Sequence, residues 1–156
     1  MIAGFDRKYV NVIKQESVTN GATLTSDNID LKGYDSCIIS VLATSVSGAT
    51  NNPSTLKLQD SDTTAATDFA DITAFVGDGT GGFTIPNSAT ATTDKALALF
   101  KLDTRYRKRH LRCLITPVIS TNAPTTQNYS VFAELGRASE SPVGTTEENV
   151  AVVVTG

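Results

Sequence analysis

The chain has 156 residues, of which 40% are hydrophobic, 19% charged and 6% aromatic, with no Trp and a formal charge of -3. A domain of this length buries roughly 68–70% of the surface of its unfolded chain, so an ordinary core suffices without metal or disulfide. No run of about 20 apolar residues occurs, and Asp6, Arg7 and Lys8 interrupt the opening stretch, so neither a membrane span nor classical secretion is expected.

Ser and Thr together supply 36 residues, and the acids are mostly Asp. Short polar side chains compete with helix for backbone hydrogen bonds, and Thr and Val suit a pleated surface, so strands joined by turns are predicted. Tyr9–Lys14 reads as a short first strand, and Asn20-Gly21 as a tight turn that makes the opening hairpin-like. Asn28–Lys32 alternates, Gly33-Tyr34-Asp35 turns the chain, and Cys37–Ala43 forms a longer, more buried strand. After a loop from Ser45 to Ser54, Leu56–Asp60 alternates again with one wet face.

The segment Asp68–Phe75 fits either a strand or a helical turn, because Phe69, Ile72 and Phe75 recur every three residues. Gly77–Gly82 is a loop, and Phe83–Ile85 a short strand stopped by Pro86. Leu97–Leu102, Leu114–Thr116 and Asn128–Leu135 complete the domain, with Tyr129, Val131 and Ala133 opposing Phe132 and Leu135. Eight or nine strands at this spacing suit a sandwich, jelly roll or barrel over residues 1–137. Residues 138–156 read as a polar connector with Pro142 and Gly144, then a terminal strand that includes Val150, Val152, Val153 and Val154. That arm must pair, either with its own sheet or with a neighbouring subunit, since an exposed apolar strand invites aggregation.

Little in the sequence points to a reaction. His110 is the only histidine and stands among cations that repel metal ions, so a triad or zinc site has little to build on. Gly77–Gly82 lacks the Lys of a phosphate-binding loop, and Asp60, Asp62, Asp68 and Asp71 do not follow the calcium-loop spacing. No catalytic residue, cofactor or metal is therefore assigned. Cys37 and Cys113 lie in apolar runs and read as buried free thiols. Asn128-Tyr129-Ser130 matches the glycosylation pattern but falls inside a predicted strand.

Charge is polarised. Arg105, Arg107, Lys108, Arg109 and Arg112 are five of the 13 cations, leaving 8 against all 16 acids, a formal -8 for the rest. If extended, the segment puts Arg105, Arg107 and Arg109 on one face and Tyr106, Lys108 and His110 on the other. It reads as a solvated edge or as a surface docking on acidic protein through Arg forks. Nucleic acid, with Tyr106 stacking, is the weaker alternative because the chain is acidic overall and the footprint small.

Three segments carry a resemblance: Asn28-Ile-Asp-Leu-Lys-Gly-Tyr-Asp-Ser-Cys-Ile-Ile-Ser-Val41, Leu56-Lys-Leu-Gln-Asp-Ser-Asp62 with its Phe69-Ala-Asp-Ile72 continuation, and Tyr106-Arg-Lys-Arg-His-Leu-Arg-Cys-Leu-Ile-Thr116. In this order, with the Gly-rich loop between the last two, they resemble the decoration, or cement, proteins of tailed-phage capsids. The resemblance covers about Asn28–Leu135 and implies an all-β, jelly-roll-like sandwich of about eight strands. It further implies a homotrimer on the capsid exterior, assembled in the host cytoplasm, that binds the major capsid protein. The C-terminal arm, expected to be flexible, lies outside the resemblance. Other phage structural roles, in a tail or head-to-tail joint, remain open, as does a carbohydrate-binding sandwich using Tyr34 and Phe83 without Trp.

Overall fold

Along Thr126–Gly136, Gln127, Tyr129, Val131, Ala133 and Leu135 are buried while the residues between them are not, the period-two pattern of a strand with one face on a core. The computed structural model describes residues 7–44, 53–86, 96–118, 126–136 and 153–155. Ten strands follow in chain order: β1 Arg7–Thr19, β2 Leu24–Thr25, β3 Ile29–Asp30, β4 Ser36–Thr44, β5 Pro53–Ser61, β6 Ala70–Val76, β7 Ala96–Asp103, β8 His110–Pro117, β9 Thr126–Gly136 and β10 Val153–Thr155.

The first sheet has the order β1-β9-β4-β7-β10, and the second β2-β8-β5-β6 with β3 also on β8. The antiparallel pairs β1–β9, β2 and β3–β8, β4–β7 and β5–β6 nest inside one another, as when one long hairpin is rolled up. That order is a jelly roll. The two short strands β2 and β3 share one of its eight positions, and β10 is an addition, parallel to β7.

The inner faces interlock. Cys37, Ile39 and Val41 of β4 and Ala98, Phe100 and Leu102 of β7 face Leu56 and Leu58 of β5 and Leu111, Cys113 and Ile115 of β8. Phe100 meets Phe75 and Phe83 edge to face, with centroids at 5.8 Å and 5.4 Å, and so ties the sheets together. Val154 of β10 is buried in register with Phe100 and closes the edge of the sandwich beside β7.

Several local expectations change. The first strand runs well beyond Tyr9–Lys14, because register shifts between Asn11 and Ile13 and between Ile13 and Glu16 let it continue where alternation breaks and Val12 and Ile13 are both buried. Asn20-Gly21 does not close a hairpin. Gly21 takes φ of +75°, its N–H donates to the Pro117 carbonyl at 3.0 Å, and the chain leaves for the other sheet. In Asp68–Phe75 the 3-10 turn Ala66–Asp68 precedes strand β6, whose register is irregular against β5, so that Ile72 and Phe75 are both buried three residues apart.

Phe83–Ile85 forms only a single bridge, Gly77 to Phe83, since the Asp78 carboxylate takes the Ile85 N–H at 2.9 Å and so occupies a ladder donor. A Cβ on Gly82 would lie 1.8 Å from the Val76 carbonyl oxygen, which fixes glycine there. Leu135 shares the inner face with Tyr129 and Val131, leaving Phe132 alone on the outside. The Ala138–Glu148 connector, Val150 and Val152, and with them the expected flexibility of the arm, lie outside the described residues.

Candidate interaction surfaces

The basic segment begins where β7 ends. Asp103 caps the 3-10 turn Thr104–Tyr106, accepting from the Arg105 backbone N–H at 3.1 Å and from its guanidinium at 2.9 Å and 2.5 Å. The Thr104 hydroxyl donates to the Tyr34 carbonyl and its N–H to the Asp35 carbonyl at 3.1 Å, fastening this turn to the one between β3 and β4. Because a 3-10 turn repeats every three residues, Arg105, Arg107 and Arg109 do not form the single face that an extended segment would give them.

Most of the cations already have partners. Arg109 grips Asp30 of β3 with both arms of its fork, at 3.0 Å and 2.8 Å. Arg112 donates to the Gln59 amide oxygen at 2.8 Å and the Ala66 carbonyl at 3.2 Å, and its guanidinium lies 4.1 Å over the Phe69 ring. Thus Arg105, Arg109 and Arg112 are held within the chain. Lys108 is exposed, Tyr106 is 81% exposed at the tip, and Arg107 is half-buried with its Nε covered and without a hydrogen-bond partner. Hydrogen bonds from Arg109 and the Lys32 N–H hold the Asp30 carboxyl well below the usual carboxylate range, and Arg105 holds Asp103 down to about 2.

The acids disperse. Asp71 receives Gln59 at 2.6 Å and Lys57 at 2.9 Å on the outer face of the second sheet, while Asp68 takes the Thr63 and Thr67 hydroxyls at 2.5 Å and 3.2 Å. Burial works against the Asp71 charge, but those bonds from Gln59 and Lys57 keep its carboxyl below the ordinary value. Asp60 is buried at the end of β5, with the Lys108 N–H at 3.4 Å, and Asp62 is exposed just beyond. Among the described residues no group of three or more His, Cys, Asp or Glu could hold a metal ion.

Register puts Asp30, His110 and Ser61 in one cross-strand row, the residue types of a nucleophilic triad. Yet Ser61 is fully buried, its hydroxyl accepts the Thr63 N–H at 3.1 Å, and Asp30 is gripped by Arg109, so the row presents no nucleophile to a substrate. Burial pushes both free thiols, Cys37 and Cys113, up to about 12, which leaves them protonated and inert at neutral pH. Tyr34 and Phe83 pack against the core rather than standing open as platforms for a sugar ring.

Of the terminal valines, Val153 and Val154 pair with Leu99 and Phe100 of the same chain. The surface that sequence reading passed over is the outer face of the first sheet. Tyr9 and Phe132 stack there, with centroids 5.6 Å apart and planes 18° from parallel. Register places Ile38 and Leu42 on either side of the Phe132 position and Leu99 one strand further. The available signal was Phe132 itself, an aromatic in the polar phase of a strand that otherwise reads Asn128, Ser130 and Glu134.

No protein-family model matches the chain, and no curated protein matches it.

Proposed function

We propose that the chain is a structural virion protein that decorates the outside of a tailed-phage capsid, binds the major capsid protein and stabilises the shell as a homotrimer. The observation that carries this reading is the strand order, because the jelly roll it spells out is the fold that the resemblance of the Asn28–Val41, Leu56–Ile72 and Tyr106–Thr116 segments implies. A cement protein works by fit. It needs a stiff block, side chains on offer at a tip or a face, and no reaction centre. The mechanism is linkage: a protein that binds the mature shell and not its precursor stabilises the mature state by mass action, and three linked contacts multiply weak affinities into avidity.

Within the basic segment, Arg107 and Lys108, with Tyr106 beside them, are the side chains offered to an acidic shell surface, since Arg105, Arg109 and Arg112 are engaged in the chain itself. The test is copy number in purified particles by quantitative mass spectrometry. Hundreds of copies per particle fit decoration or a long tail tube, which attachment to tailless heads then tells apart; a handful places the chain at a head-to-tail joint, and none withdraws the reading. Changing Arg107 and Lys108 to Glu is expected to abolish reattachment to stripped heads, and unchanged attachment would remove the tip from the contact.

A further inference from the structure

We propose that the outer face of the first sheet is the surface through which copies of this chain join one another. The inference rests on the self-association just proposed but not on the shell. Among the described residues five large apolar side chains are exposed, and three of them, Tyr9 at 59%, Leu42 at 46% and Phe132 at 36%, stand on this one face. Cross-strand register gathers them into adjoining rows: Tyr9–Glu134–Ile38–Lys101, then Asn11–Phe132–Ser40–Leu99, then Ser130–Leu42. Such a cluster is what an interface core needs, and the aromatic pair is already stacked, so little rotamer freedom remains to be lost on docking.

The charges around the cluster point to a second copy as the occupant. Among the described residues, register puts Arg7, Lys101, Glu134 and Asp103 on this face, two cations and two anions, with Arg7 paired to Glu134 and Asp103 to Arg105 of the adjoining turn. These strand positions balance on a chain whose net charge is -3, so two identical copies meet there with little like-charge repulsion. Elsewhere the match to an identical copy is poor. The Tyr106–Lys108 tip repels its own copy, and the outer face of the second sheet has its Arg, Gln, Asp and Lys side chains bonded to each other. A patch that meets its own copy makes a two-fold contact, and in a three-fold assembly the same residues meet only where the patch lies on the axis.

The experiment is the solution mass of the full chain by light scattering up to its solubility limit. Wild type is expected at a multiple of the single-chain mass, and Phe132→Asp, which sets identical charges against each other at the centre, at one chain. The double variant Tyr9→Thr/Phe132→Thr keeps strand preference and adds no charge; it is expected to weaken association by at least about tenfold. Tyr106→Asp, an exposed aromatic elsewhere, is expected to leave the mass unchanged. Circular dichroism establishes folding, and if the aspartate variant does not fold the threonine pair decides. A monomeric wild type overturns the proposal, and so does a mass untouched by either change, or one lost on Tyr106→Asp alone. Self-association through this face without any binding to heads would sink the decoration reading and leave this one standing.

Discussion

On the outer face of the second sheet, Arg109 is tied to Asp30, Arg112 to Gln59, Ala66 and the Phe69 ring, and Asp71 to Gln59 and Lys57, while on the first sheet Tyr9 and Phe132 stack in the open with Leu42 nearby. Both faces belong to strands of one roll. What differs among the described residues is what stays exposed: polar side chains bonded to one another on the second face, stacked aromatic and aliphatic area on the first. A face whose donors and acceptors are already matched has little to offer a second molecule. One that leaves aromatic area in water gains by covering it. The basic cluster, conspicuous in sequence, thus belongs largely to self-contained structure, while the quieter face holds the exposed aromatic surface.

The largest effect is expected where the two faces share one core. Phe100→Ala removes the ring that meets Phe75 across the sandwich and Phe83 beside it, and should cost about 3–5 kcal/mol in chemical denaturation. That loss calibrates the next comparison. Arg112→Ala leaves Gln59 and the Ala66 carbonyl without their donor and uncovers Phe69, an expected loss of about 1–3 kcal/mol. Phe132→Thr, on the other face, removes the stack on Tyr9 but no hydrogen bond and should cost the isolated chain about 0.5–1 kcal/mol, less than Arg112→Ala. Equal losses would erase the distinction between the faces. Between them, Val154→Ala tests whether the seat beside Phe100 is filled by a matching side chain. With Val154 buried, about 1 kcal/mol is expected, and no loss would mean that β10 contributes nothing to that edge.

The parts of this structure that could be read in advance are those whose signal is local. Cys37–Ala43 and Leu97–Leu102 lie within the observed β4 and β7, because both faces of a strand are written in consecutive residues. The first strand extends beyond its alternating stretch because a bulge breaks alternation at Val12-Ile13, and Asn20-Gly21 closes no hairpin because a turn motif says where the chain bends, not which sheet receives it. Arg105, Arg107, Lys108, Arg109 and Arg112 were visible as a cluster since they are neighbours in sequence; that Arg109 is gripped by Asp30, 79 positions earlier, was not. The Tyr9–Phe132 stack is the extreme case, assembled from the two ends of the roll and legible only once strand order is known.

The smallest effect concerns pH and involves both sheets, since Arg105 holds Asp103 at the end of β7 down to about 2 as well. Asp30 and Asp71, both on the outer face of the second sheet, have carboxyls held below their ordinary value, Asp30 chiefly by Arg109, and Asp71 by Gln59 and Lys57 against an opposing burial effect. A carboxyl whose folded pKa lies below its unfolded value of about 3.9 stabilises the fold above that pH, and the contribution is lost as pH falls through the folded pKa. The direction is therefore loss on acidification, beginning near pH 4 and continuing downward. Arg109→Gln removes the grip on Asp30, so its stability deficit against wild type should be full above about pH 4 and shrink as the solution is acidified past that point. Screening at an exposed pair keeps the deficit modest, and added salt should reduce it further. Amide exchange gives the spatial readout: between neutral pH and pH 3, protection should fall in β3, β5 and β6, and at the Asp103 end of β7, before it falls in β9. Simultaneous loss along β9 would mean that these carboxylates do not hold their own strands separately.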